Sequence, residues 1–125
     1  MNSPAILVVE DDALIRWSAA DLVISAGFEA VEAASADEAI QILEARQDIR
    51  LVFTDVEMPG TMDGIKLAHY IRRRWPPVQL IIASGRAIVQ ESDLPEGTRF
   101  FHKPYQDYTI VKEINRMMTA LDARG

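Results

Sequence analysis

The sequence predicts an α/β domain, a doubly wound five-stranded parallel sheet flanked by five helices. Three observations predict it. Five short apolar runs alternate with amphipathic segments along the whole chain, and that alternation argues for a parallel sheet covered on both faces. The runs are short and rich in β-branched residues, which reads as buried strands. Four of them end on a reactive polar group: Ala5–Val9 on Glu10-Asp11-Asp12, Leu51–Thr54 on Asp55, Leu80–Ala83 on Ser84, and Phe100–His102 on Lys103-Pro104. In open sheets of this kind ligands bind beyond the carboxyl ends of the strands, where the strand order switches direction.

The elements follow in order. After the first strand, Leu14, Ile15, Ala19, Leu22, Val23 and Ala26 recur at helical spacing, and Gly27 is placed to cap the helix. Phe28 to Val31 is the second strand. Ser35-Ala-Asp-Glu38 has the form of a capping box, which starts a helix carrying Ala39, Ile40 and Leu43. The third helix begins near Gly64, sets Ile65, Ala68, Ile71 and Trp75 on one face, and stops at Pro76-Pro77, because proline has no N–H to continue the ladder. A short fourth helix is expected from Ala87 to Ser92. The fifth carries Ile110, Val111, Ile114, Met117, Met118 and Leu121 as one stripe, which reads as core rather than as a ligand site. Trp17 and Trp75 read as packing residues for the same reason.

Length and composition bound the function. A chain of 125 residues can bury one full core. Residues 1–125 are read as one domain, with no repeat, linker or second domain. There is no cysteine, so no disulfide framework and no thiolate metal site. That fits a reducing compartment, and a cytoplasmic location is expected. Met1-Asn2-Ser3-Pro4 shows no basic stretch followed by a long apolar core, so no signal peptide is expected, and no apolar run reaches membrane-spanning length. The formal charge is −6, from 19 acidic and 13 basic side chains. Nucleic-acid binding needs a basic face, and the one basic run, Arg72-Arg73-Arg74, reads as a solvated helix end whose cations suit the dipole. No nucleic acid and no membrane are expected as partners.

If the first and third strands are neighbours, Glu10 and Asp11 lie beside Asp55. Carboxylates so gathered repel one another unless a cation is present. Oxygen-only donors suit a hard ion, and magnesium fits a site of two or three carboxylates. A plainer reading makes Glu10-Asp11-Asp12 a polar turn, with Asp12 as a helix cap; the adjacency of Asp55 favours metal. Asp55 sits at a strand end facing a loop, and a carboxylate there can accept a phosphoryl group as an acyl phosphate. Such transfer rests on positioning and charge neutralisation. Magnesium and Lys103 would neutralise charge, and Ser84 would donate a hydrogen bond. A serine before Gly85 is ordinary alone; the conjunction of all four groups is the signal.

The order Glu10-Asp11-Asp12, Asp55-Val-Glu-Met-Pro59, Met62-Asp63-Gly64, Ser84-Gly85 and Lys103-Pro104-Tyr105 closely resembles the receiver domain of two-component response regulators. The likeness covers essentially the whole chain. It implies the flavodoxin-like strand order 2-1-3-4-5. It implies that Asp55 accepts a phosphoryl group from a histidine kinase or a histidine phosphotransfer protein. Magnesium would be held by the side chains of Asp11 and Asp55, by the backbone carbonyl of Glu57, and by Glu10 through water. Lys103 would contact the phosphoryl group, Ser84 would move towards it, and Phe100 would change rotamer with it, although Phe100 reads equally well as plain core. His69 and His102 match no role and read as structural or surface residues.

Three departures from the family pattern stand out. Gly60-Thr61 puts two residues between Pro59 and Met62, where one is usual. Glu57 is an acid facing the acyl phosphate and is expected to change its rate of hydrolysis. The stretch from Ser84 to Lys103 is short, so helix four is short or irregular, and dimerisation like that of transcription-factor receivers is not expected.

The resemblance favours a signalling switch rather than an enzyme, acting by protein contact, stand-alone and without an output domain. A receiver from a hybrid kinase or a larger regulator is the alternative within that class. The competing class is a magnesium-dependent phosphatase with Asp55 as nucleophile, similar to haloacid-dehalogenase-type hydrolases. Glu57 in place of their second aspartate, and the lack of a cap domain, weigh against it.

Overall fold

A computed structural model describes residues 4–60, 62–85 and 89–124. The elements are β1 (Ala5–Val9), α1 (Ala13–Ser25), β2 (Glu29–Ala33), α2 (Ala36–Ala45), β3 (Ile49–Asp55), α3 (Gly64–Arg74), β4 (Gln79–Ser84), β5 (Arg99–His102) and α4 (Asp107–Arg124). All strand pairs are parallel, in the order β2-β1-β3-β4-β5. The expected sheet and its order are therefore present.

The helix count is corrected. Among the described residues there are four α-helices, not five. Between β4 and β5 only Glu91–Asp93 forms a single 3-10 turn. Pro95 follows two residues later and keeps the turn from continuing towards β5. Ala87 and Ile88, the start of the expected helix, lie outside the described residues. The turn is tied to α3, where His69 Nε2 lies 2.8 Å from the Asp93 carbonyl. His69 is structural, as expected.

The sheet separates two cores. On one face Leu7, Val9 and Val52 pack with Ala39 and Leu43 of α2 and with Leu67 and Ile71 of α3. On the other, Ile6, Val8, Leu51 and Phe53 pack with Ala19 and Val23 of α1 and with Ile110, Ile114, Met117 and Met118 of α4. Neighbouring strand residues point to opposite faces, so a strand buried on both sides is apolar throughout. That is why β1 and β4 read as unbroken runs. The α4 stripe is core as expected; the side chain of Leu121 lies outside the described residues. Trp75 packs against the first core. No helix among the described residues is long and apolar enough to cross a membrane.

The packing expected of Trp17 is overturned: it is 66% exposed, and Leu14 and Ile15 are exposed as well. The helix α1 is apolar nearly all round, so its spacing does not choose a face. The smaller Ala19, Ala20 and Val23 are the ones buried.

The helix caps place the loops that carry the chemistry. The Asp12 carboxylate accepts from the N–H groups of Leu14 (2.9 Å) and Ile15 (3.1 Å), as its reading as a cap requires. The Ser35 hydroxyl accepts from Glu38 N–H, but Glu38 reaches Ala34 N–H rather than that of Ser35, so the expected capping box is only half reciprocal. Gly27 has φ +99° and donates to the Ile24 carbonyl, the left-handed turn that glycine allows after a helix. Asp63 caps α3 by accepting from Lys66 N–H.

Candidate functional site

Four strands end at one cleft. Its walls include Glu10, Asp11 and Asp12 after β1, Asp55 and Glu57 at the end of β3, and Gly85 and Lys103 after β4 and β5. β1 lies directly beside β3, with Val9 opposite Thr54, so the residues that follow them converge. One carboxylate oxygen each from Glu10, Asp11 and Asp55 lies within 4.8 Å of the others. Glu10 is buried, Asp55 half-buried and Asp11 exposed.

The backbone beneath Glu10 is held firmly. Glu10 N–H donates to the Ala33 carbonyl at 3.0 Å, and Arg16 Nη1 donates to the Glu10 carbonyl at 2.9 Å. Arg16 also pairs with Glu32 at 3.2 Å. Sequence reasoning did not single out Arg16; its place one turn after the cap Asp12 was the available signal. The Glu10 side chain accepts from Asp12 N–H at 3.0 Å.

Lys103 is the counter-charge. Its Nζ lies 3.3 Å from Asp55 Oδ1 and 3.4 Å from Glu10 Oε1. Asp55 Oδ1 is buried and accepts no hydrogen bond, so the Lys103 contact is ionic attraction without hydrogen-bond alignment. Burial alone would lower the Lys103 pKa, but Asp55 and Glu10 outweigh it and raise it above its ordinary value. Burial pushes the Asp55 carboxyl up to about 7; Lys103 pulls it down, while Glu10 and a hydrogen bond with Glu57 push it up.

Ser84 is fully buried at the end of β4, and its hydroxyl donates to Glu57 Oε1 at 2.5 Å. The sequence placed both residues at the site but gave no sign of this bond. Phe100 is half-buried against the first core and meets the exposed His102 edge-on at 4.8 Å. The Lys103–Pro104 peptide is cis.

Three carboxylates facing one ammonium leave a net negative pocket of oxygen donors. With one buried carboxylate oxygen unbonded, that donor set fits a hard divalent cation. The Glu57 carboxylate is turned towards Ser84 and is not one of the three gathered oxygens. Its expected contribution to the metal was through its carbonyl.

The chain matches the response regulator receiver domain family over residues 6–115. It is 35% identical over 114 residues to the response regulator protein FleR of Pseudomonas aeruginosa, covering 89% of this chain and 24% of that protein. It is 30% identical to the response regulator receiver protein CpdR of Brucella abortus, covering 92% of this chain and 97% of that protein. Among solved structures, a response regulator receiver protein from Pseudomonas putida superposes with a TM-score of 0.82 at 30% identity, covering 93% of this chain and 98% of that one. The chain spans about a quarter of FleR and nearly all of CpdR. It belongs to the receiver domain family of two-component response regulators, which are signalling switches rather than enzymes in the ordinary sense.

Proposed function

We propose that Asp55 accepts a phosphoryl group from a phosphohistidine on a histidine kinase or histidine phosphotransfer protein, with magnesium in the pocket, and that the change reaches a partner-binding face. The observation that carries this is the meeting of Glu10, Asp11, Asp55 and Lys103 at one strand-end cleft. An Asp55 oxygen attacks phosphorus. The O–P bond forms as the N–P bond breaks, and the imidazole leaves with the proton its ring already carries. Asp11, Asp55 and the Glu57 carbonyl, with Glu10 through water, would hold magnesium, which would supply neutralisation of phosphoryl charge. Lys103 draws Asp55 towards its charged, nucleophilic form and then faces the transferred group. Ser84 donates to a phosphoryl oxygen.

Intact mass after incubation with acetyl phosphate tests this reading. One magnesium-dependent phosphoryl adduct is expected in the parent chain, and none in Asp55→Asn. No adduct in the parent, under conditions where a known receiver labels, overturns it. Steady consumption of acetyl phosphate without an adduct points to rapid hydrolysis, with Glu57 the next residue to test, whereas turnover of a small phosphate ester returns the phosphatase reading.

The exposed residues Leu14, Trp17 and Ile24 lie on α1, whose cap Asp12 forms the rim of the cleft. A partner presenting a phosphohistidine to Asp55 must sit over that rim. Aromatic side chains so placed often dominate a contact. Trp17→Ala is therefore expected to slow transfer from phosphorylated histidine kinases by about tenfold or more, while labelling by acetyl phosphate stays unchanged. Equal slowing of both reactions counts against a docking role.

A further inference from the structure

We propose that Glu57 is a positioning residue for Ser84: it holds the hydroxyl in the resting protein, and Ser84 must leave it to engage a phosphoryl group on Asp55. This rests on the proposed role of Asp55 as phosphoryl acceptor. The Ser84 side chain is fully buried, so its hydroxyl must be hydrogen-bonded within the protein rather than to bulk water. Its hydroxyl has one proton to donate, and that proton is directed to Glu57 Oε1 at 2.5 Å. A bond of that length from a hydroxyl to a carboxylate is of the strong, charge-assisted kind. The same proton cannot serve a phosphoryl oxygen at the same time.

The geometry makes the two acceptors direct competitors. Asp55 lies opposite Ala83 in the β3–β4 ladder, so Ser84 is one residue beyond the register of the phosphoryl site. Glu57 lies two residues beyond Asp55 on the neighbouring segment and borders the same cleft. The hydroxyl therefore has one acceptor that is always present and a second that would appear only on phosphorylation. The resting bond opposes the switched arrangement, so Glu57 sets how far phosphorylation shifts Ser84. This differs from an effect of Glu57 on attacking water, which needs no serine.

Beryllofluoride with magnesium mimics the phosphoryl group on Asp55 without turning over. Its affinity, measured by calorimetry on the intact chain, tests the proposal in the parent, Glu57→Ala, Glu57→Gln, Ser84→Ala and the Ser84→Ala, Glu57→Ala double variant. Glu57→Ala is expected to bind about tenfold more tightly than the parent, on the order of one hydrogen bond to a charged group. Glu57→Gln, which keeps an acceptor oxygen without the charge, is expected between the two. In the Ser84→Ala background the gain from Glu57→Ala is expected to vanish, because the cycle isolates the pair. An equal gain without the serine, or Glu57→Gln matching Glu57→Ala, makes Glu57 a source of repulsion only and overturns the proposal. Glu57→Ala binding no tighter than a parent that does bind also overturns it. A parent that neither binds beryllofluoride nor takes up phosphoryl from acetyl phosphate sinks the reading of Asp55, and the proposal with it.

Discussion

Replacing Gly64 by alanine is expected to destabilise the folded chain by about 3 kcal/mol, the upper end of the range for overpacking a tight core. A Cβ at this position would lie 2.0 Å from the carbonyl oxygen of Asp55, 2.8 Å from its carbonyl carbon and 2.9 Å from Val56 Cα. All three are backbone atoms, so no rotamer change relieves the contact. Gly64 N–H also donates to the Val56 carbonyl at 2.9 Å, and any shift that relieves the clash strains that bond. In a domain with about 5–15 kcal/mol of total stability, the melting temperature should fall by about 10 °C. Two other glycines serve as controls. Among the described residues Gly85→Ala meets Lys103 Cβ at 3.6 Å and Cδ at 3.8 Å, ordinary contacts, and should be close to neutral. Gly60→Ala has open space but φ +106°, and should cost only about 1 kcal/mol of backbone strain. If Gly64→Ala melts with the controls, the close approach of α3 to β3 does not hold in solution. The clash falls on the backbone of Asp55, the proposed phosphoacceptor, so the surviving folded fraction of Gly64→Ala should also label slowly.

The second large effect is linked to pH. The Asp55 carboxyl is raised to about 7 from an ordinary 3.8, mainly by burial. The folded chain therefore holds a proton that the unfolded chain has released between about pH 4 and pH 7. Stability from this group is fully present below about pH 4 and is lost as pH rises through about 7. With a chelator present, the loss between pH 5 and pH 8 should be of order 2 kcal/mol. Denaturant titrations at the two pH values measure it. Magnesium should restore most of the loss at pH 8 and do little at pH 5, where the proton already neutralises the site. Asp55→Asn should flatten the profile and stabilise the chain at pH 8. An Asp55→Asn profile as steep as the parent's would assign the loss to other groups.

Much of the fold is legible in the sequence, for physical reasons that differ between elements. Strands β1, β3 and β4 announce themselves because burial on both faces demands an unbroken apolar run. The edge strand β2 carries Glu29 and Glu32, and its bounds were correspondingly harder to place. The buried face of α1 is not legible, because Leu14, Ile15, Trp17 and Ile24 surround it with apolar side chains and only tertiary packing decides which are covered. Among the described residues the expected fourth helix is reduced to the single turn Glu91–Asp93, which Pro95 keeps from continuing towards β5. Asp55, Glu10, Asp11 and Lys103 were readable because strand ends converge by topology. The Ser84–Glu57 bond was not, since it depends on a rotamer, and the clash latent at Gly64 depends on an interatomic distance.

The partition of the interior into two cores bears on how such a chain can change over generations. Side chains on opposite faces of the sheet share few partners, so substitutions there should combine additively, whereas neighbours within one face should not. A lineage can therefore rework the side bearing α1 and α4, where Trp17 and Tyr108 stand exposed, without disturbing the packing of α2 and α3. The acidic pocket rests on backbone that both sides share. Divergence in recognition is cheap in such an architecture, and divergence in chemistry is not.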